Sequence, residues 1–150
     1  MNSVKQSSAT ETFLGEMYKI TKMGSTSLTD ILSRVKDRAF QTEITAQINE
    51  YEGFSKKIAD RLLNDGEMPK EENILTKLSA KIGMAMNTIT DSTTSHLAQM
   101  VIEGNTMGVT EMTRLLHEHE NTNCSEATLS LAKDVLGFLE DSIERTKAFL

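Results

Sequence analysis

The 150-residue sequence predicts an all-α protein, a four-helix bundle in which a long crossover containing a fifth helix joins two antiparallel hairpins. Three observations lead to this fold class. The chain contains a single proline, which leaves few places where a helix must break. Apolar residues recur at steps of three and four over several long segments, which is the period of one helix face. The many Gly- and Pro-rich turns of a β-sandwich or β-barrel are missing.

Local signals mark where the helices begin and end. Ser8 stands three residues before Glu11, the spacing of a capping box. Asp37 and Ser125 are suitable N-caps, and Pro69 follows the end of the second long segment. We predict a single domain that consists of a flexible tail (1–7), helix A (8–35), helix B (38–64), a crossover helix (71–90), helix C (94–120) and helix D (125–149).

Helix lengths predict the connectivity. Each long helix spans roughly 40 Å at about 1.5 Å per residue. The A–B and C–D connections are only a few residues long, so each pair forms an antiparallel hairpin. The connection at 65–93 is long enough to run from one end of the bundle to the other. An alternative is a five-helix array in which each neighbour is antiparallel.

Composition excludes several classes of protein. The net charge of -6 with no basic stripe argues against nucleic-acid binding. No apolar run approaches the roughly 20 residues of a membrane span. A lone cysteine excludes an internal disulfide framework. We therefore expect a cytoplasmic protein without nucleic-acid or membrane partners.

Two hairpins joined by one long crossover resemble the ferritin-like bundles. Three runs are similar to those of small uncharacterised ferritin-like proteins of anaerobic bacteria: GMAMNT at 83–88, SHLAQM at 95–100 and IEGNTMGV at 102–109. The resemblance extends over nearly the whole chain and implies a ferritin-like fold and a bacterial origin. It implies no particular activity, because none is established for that group.

The usual chemistry of ferritin-like proteins uses two metal ions, held by one Glu from each of two helices and a Glu-x-x-His from each of the others. Helices B and D contain no histidine. At 100° per residue, Glu111 alone among the mid-helix acids leans inward. We therefore expect no catalytic residue, no resident metal and no cofactor.

Polar residues at inward positions form the first group of candidate binding residues. They are Thr21, Gln47, Tyr51, Ser55, Glu111 and Ser142. One interpretation is a polar pocket in the middle of the bundle with Tyr51 and Glu111 as key groups. The other is a set of buried polar residues that satisfy one another.

Glycine and methionine form the second group. Gly24, Gly104 and Gly108 face inward on helices A and C, which are neighbours in a ferritin-like bundle. They indicate either tight packing or a cavity. Methionines on or beside the inward faces fill irregular gaps or, less simply, supply thioether ligands to a metal. The ligand-binding candidates are Thr21, Gly24, Gln47, Tyr51, Gly104, Met107, Gly108 and Glu111.

Second apolar stripes lie on helix C (Ile102, Val109 and Leu116) and on helix A (Leu14, Tyr18 and Leu32). Either the crossover helix or a second subunit covers them, and we predict a homodimer. The sequence thus predicts a non-enzymatic binding or structural protein whose ligand is a small molecule or a metal. The alternative is a metal-handling or redox protein with a non-standard core site built from Glu111, Tyr51 and methionines.

Overall fold

The computed structural model describes the backbone of residues 2–64 and 89–150, with side chains from residue 9 onward. Within these ranges the protein contains helices and no strands, which confirms the all-α prediction. The helices are α1 (Asn2–Leu32), α2 (Arg38–Asn64), α3 (Thr94–His119) and α4 (Glu126–Thr146), and a 3-10 turn (Lys147–Phe149) follows α4.

Two predicted boundaries of helix A are wrong. Helix α1 begins at Asn2, so the backbone of 2–7 is helical where a loose tail is predicted. No Gly or Pro stops the helix before Ser8, and a Ser with a Glu three residues later also occurs inside helices. Helix α1 ends at Leu32 rather than at Val35, whose backbone amide donates to the Leu32 carbonyl in a tight turn (3.2 Å).

Side-chain caps confirm the other helix starts. The Phe40 amide donates to the Asp37 carboxylate at 2.8 Å, at the start of α2. Thr93 caps α3, and the Thr128 amide donates to the Ser125 hydroxyl at 3.2 Å at the start of α4. Each cap satisfies an amide that has no partner within the helix. The predicted crossover helix at 71–90 lies outside the described residues, apart from Ile89 and Thr90, which are not helical.

Aromatic contacts give the relative directions of the helices. Phe13 near the start of α1 packs edge-on against His119 at the end of α3, with ring centroids 4.7 Å apart. Phe40 at the start of α2 stacks on Phe149 after α4, at 4.8 Å. Helix α1 therefore runs antiparallel to α3, and α2 runs antiparallel to α4. Helix α1 packs against α2 and α3, while α4 packs against α3 and α2.

Buried apolar side chains from all four helices form one contiguous core. Leu14 and Tyr18 of the second stripe on α1 are buried as well. The Lys22 ammonium lies over the Tyr18 ring and pairs with Glu52 of α2 at 3.1 Å. This flank of α1 therefore faces α2 inside the hairpin. On α3 the second stripe is half-buried to buried: Ile102, Val109 and Leu116. No helix in the described residues is long and apolar enough to cross a membrane.

Candidate functional site

A chain of hydrogen bonds between neutral side chains crosses the middle of the core. The Tyr51 hydroxyl donates to the Asn105 carbonyl oxygen at 2.5 Å, and the Asn105 amide donates to Gln47 Oε1 at 3.2 Å. The Gln47 amide donates to the Thr146 hydroxyl at 2.9 Å, which in turn donates to the Ser142 backbone carbonyl at 2.7 Å. The chain ties α2 to both α3 and α4, and each of its bonds has a donor and an acceptor.

A second, shorter chain joins α1 to α2. The Ser55 hydroxyl donates to Thr21 Oγ1 at 2.8 Å, and the Thr21 hydroxyl donates to the Tyr18 carbonyl at 3.1 Å. Burial raises the pKa of Tyr51, so its phenol is protonated and neutral over the physiological range. The buried polar groups of the core are therefore uncharged hydroxyls and amides that satisfy one another.

These groups do not fit a di-metal site of the ferritin-like kind. Such a site requires several inward carboxylates and imidazoles whose lone pairs point at the metals. Here the buried polar side chains in the described residues are hydroxyls and amides: Thr10, Thr21, Ser25, Gln47, Tyr51, Ser55, Asn105, Thr128, Ser142 and Thr146. The described residues also contain no group of three or more His, Cys, Asp or Glu that could hold a metal ion.

The predicted inward orientation of Glu111 is wrong. Its side chain is half exposed and pairs with Arg114 at 2.7 Å, while Arg114 also contacts Glu118. The inward face of α3 passes through Val101, Asn105 and Met112 rather than through Gly104. The predicted face of helix C contains Gly104 in place of Asn105, which lies about 100° away around the axis. This displaces the centre of the predicted face toward Glu111.

A groove of ≈470 Å³ lies between α1 and α3, next to the hydrogen-bonded chain of Tyr51, Asn105, Gln47 and Thr146, which we call the core chain. Gly24, Gly104 and Gly108 all border it, and so do Tyr51 and Asn105, which are also buried in the core. The structure thus brings the three glycines to one groove between α1 and α3, and their role in binding stays a prediction.

Methionines flank this groove. Met23 of α1 is 43% exposed and Met107 of α3 is 69% exposed, although Met107 was predicted to lie on or beside an inward face. Met100 lines the groove and is half-buried, whereas Met17 and Met112 are fully buried in the core. Flexible thioether side chains thus fill core gaps at two positions and border an accessible apolar groove at three.

Gly24 is required by the ring of Tyr51. A Cβ atom at residue 24 would lie 2.2 Å from Tyr51 Cε1 and 2.4 Å from its Cζ. At Gly104, in contrast, a Cβ atom would meet nothing within 4 Å. At Gly108 it would lie 3.2 Å from a methyl group of Leu139. The three candidate glycines therefore differ: one makes room for a ring, one borders open space and one packs closely.

Most predicted polar candidates lie in the core chains, and one member, Asn105, is missing from the prediction. Thr21, Gln47 and Tyr51 are buried and hydrogen-bonded as described above. Thr146 lies on the predicted inward stripe of helix D and is buried. The available signal is the period of α3, because Asn105 lies four residues after buried Val101 and seven before buried Met112.

The remaining cluster at the end of α3 forms no site. His117 and His119 lie two residues apart and on different sides of the helix, and Cys124 is buried. The Nδ1 atom of His119 is buried and is the one such side-chain atom without a hydrogen-bond partner in the described part of the chain. Its ring packs against Phe13.

Comparison of the chain with protein-family models, with curated proteins and with solved structures finds no match. The structure is compatible with a ferritin-like bundle in having four helices and no strands among its described residues.

Proposed function

We propose that this protein is a non-enzymatic binding protein whose α1/α3 groove takes an apolar small molecule. The observation that carries the proposal is the groove itself, ≈470 Å³ in volume and bordered by Met23, Met100 and Met107. Ligand sites are typically concave, mostly apolar and about 300–1,000 Å³ in volume, with a few polar groups. Tyr51 and Asn105 are such groups here.

The core chain supports this function by holding the groove open. Tyr51 and Asn105 are fixed by the hydrogen bonds to Gln47 and Thr146, so the floor of the groove is formed before a ligand arrives. A floor that is already ordered lowers the entropic cost of binding. The mobile part is the methionine border, whose unbranched side chains adapt to different ligand shapes.

We extend the proposal to a ferritin-like topology. Helices α1 and α3 are antiparallel, as are α2 and α4, and the short α3–α4 connection makes that pair antiparallel too. Helix α2 then runs parallel to α3, and the chain between Asn64 and Thr94 has to travel the length of the bundle. The bacterial origin and cytoplasmic location stay predictions.

A homodimer is the competing use of the same face. Met23 and Met107 are two of the large apolar side chains that are strongly exposed in the described residues, and a second copy could cover them. Light scattering at several concentrations decides between the two uses. If the protein is a dimer and a groove-filling variant is a monomer, then the groove is occupied by a second copy of the chain and not by a ligand.

The test is a titration with Nile red, a neutral dye that fluoresces in apolar surroundings. Gly104→Leu adds a large side chain at the lining of the groove, and its Cβ atom would meet nothing within 4 Å. Gly53→Leu is the matched control, since Gly53 is also an open mid-helix glycine but lies outside the groove lining. Both changes should stabilise a helix by about 0.5–1 kcal/mol.

We expect Gly104→Leu to weaken dye binding at least about tenfold and Gly53→Leu to leave it unchanged. Equal binding by both variants would refute the groove as the site. The metal-handling alternative is tested separately, by elemental analysis of untagged protein. Stoichiometric Fe, Mn or Cu that disappears in Glu111→Ala would contradict the binding proposal and support that alternative.

A further inference from the structure

The groove is long and narrow. It follows α1 from Lys19 to Ile31, about 18 Å at a rise of about 1.5 Å per residue, and holds ≈470 Å³. A single slender chain can therefore lie along the groove in the direction of α1.

Its walls are apolar along most of this length. Ile20 and Leu28 on α1 and Met100 on α3 line it, and at Gly104 a Cβ atom would meet nothing within 4 Å. An alkyl chain buries its surface here and needs no hydrogen-bond partner. The polar floor atoms, the Tyr51 hydroxyl and the Asn105 amide, are already bonded within the protein and do not require one either.

Charge is confined to one end of the groove. Among the described residues that line it, Lys19 and Glu111 are the charged ones. Helices α1 and α3 are antiparallel, and the Phe13–His119 contact aligns them, so 19 and 111 lie at the same end. Ile31 lies at the other end.

The two charged groups differ in their availability. Glu111 is held by Arg114 at 2.7 Å. Lys19 contacts Glu16 at the longer distance of 3.7 Å, and both side chains are about half exposed. Exposed ion pairs of this kind contribute little, so Lys19 can take a new partner at small cost. The complementary head group is an anion.

We propose that the groove binds a free single-chain amphiphile with an anionic head, such as a long-chain carboxylate, with its head at Lys19 and its chain directed toward Ile31. This inference rests on the proposed function of the groove as a ligand site, and adds the class of ligand and its direction. The occupant is the free monomer and not a lipid bilayer.

The experiment measures displacement of Nile red by dodecanoate, dodecan-1-ol and dodecylamine. All are used below their aggregation concentrations and at physiological ionic strength, which screens the net charge of -6. We expect dodecanoate to bind about two- to fivefold more tightly than the alcohol, as one exposed charge pair allows, and the amine to bind most weakly. In Lys19→Gln the preference for the carboxylate should disappear while alcohol binding persists.

Lys133→Gln is the control, because Lys133 is exposed on α4 outside the groove lining and should leave the preference intact. The inference is overturned if the preference for dodecanoate persists in Lys19→Gln, or if the three amphiphiles bind equally. It is also overturned if the protein takes up the carboxylate from lipid vesicles but does not bind it as a free monomer. If Nile red binds but none of the three amphiphiles displaces it, the inference is overturned and the proposed function stands. If neither the dye nor the amphiphiles bind, the proposed function itself fails.

Discussion

Replacing Gly24 by alanine should destabilise the protein, although the same change usually stabilises a helix. The new methyl group would overlap the Tyr51 ring, since three ring atoms lie within 2.7 Å of its position. The ring is buried and also packs edge-on against Phe138, at 4.8 Å between centroids, so it has little room to move away. Any displacement also breaks the hydrogen bond to Asn105.

The size of the effect follows from three contributions. Overpacking a core typically costs about 2 kcal/mol. Leaving the Tyr51 and Asn105 groups without each other in a buried position costs about 2 kcal/mol more. Replacing Gly by Ala within a helix returns about 1 kcal/mol. We therefore expect the free energy of unfolding of Gly24→Ala to fall by about 3 kcal/mol.

Urea denaturation followed by far-UV circular dichroism measures this difference. Gly53→Ala is the control: with nothing within 4 Å of its Cβ position, it should stabilise the protein by up to about 1 kcal/mol. In a Tyr51→Ala background the ring is gone, so Gly24→Ala should become stabilising. A Gly24→Ala protein as stable as the parent, or an unchanged sign in that background, would refute the assigned contact.

Two further predictions concern charged groups. Burial raises the pKa of Glu52, but hydrogen bonds from Ser25 and Lys22 and the Lys22 charge lower it by more, so its pKa lies below the ordinary range. Its contribution to stability is thus present above the unfolded pKa of about 4.3 and is lost as the pH falls through the lower folded value. Lys22→Gln should reduce the slope of stability against pH there, measured by urea unfolding between pH 6 and pH 2.5, whereas an unchanged slope would contradict the pairing. Glu111→Gln should change the free energy of unfolding by less than about 0.5 kcal/mol, because its pair with Arg114 is exposed; a loss of several kcal/mol would mean that Glu111 is buried after all.

The helices and much of the core could be predicted from sequence, because apolar period and capping are local properties. The inward positions of α2 are one example: Gln47, Tyr51 and Ser55 follow the same period as their apolar neighbours, and all three are buried. Helix α3 shows where this reasoning fails. Its inward face contains Asn105, and only the contact with Tyr51 on another helix makes a buried amide favourable there. Periodicity within one helix contains no information about that partner.

Glu111 and Met107 were misplaced for the same physical reason. Gly104 and Asn105 lie about 100° apart around the axis, so a face that contains Gly104 in place of Asn105 is displaced toward Glu111 and Met107. The groove itself depends on how closely α1 and α3 approach, which a sequence pattern leaves open. The glycines indicated that the two helices have space between them. The Tyr51 ring shows that part of this space is already filled.

The core chain gives a physical reason for separating this protein's fold from metal chemistry. Here the Asn105 carbonyl accepts from Tyr51, Gln47 Oε1 accepts from Asn105, and the Thr146 hydroxyl accepts from Gln47. A cation at this level would be held by neutral groups alone, in a core that burial makes unfavourable for charge. The polar groups instead connect three helices at one level and fix the floor of the α1/α3 groove. The proposed ligand site therefore lies outside this level of paired polar groups, in the groove that the methionines of α1 and α3 border.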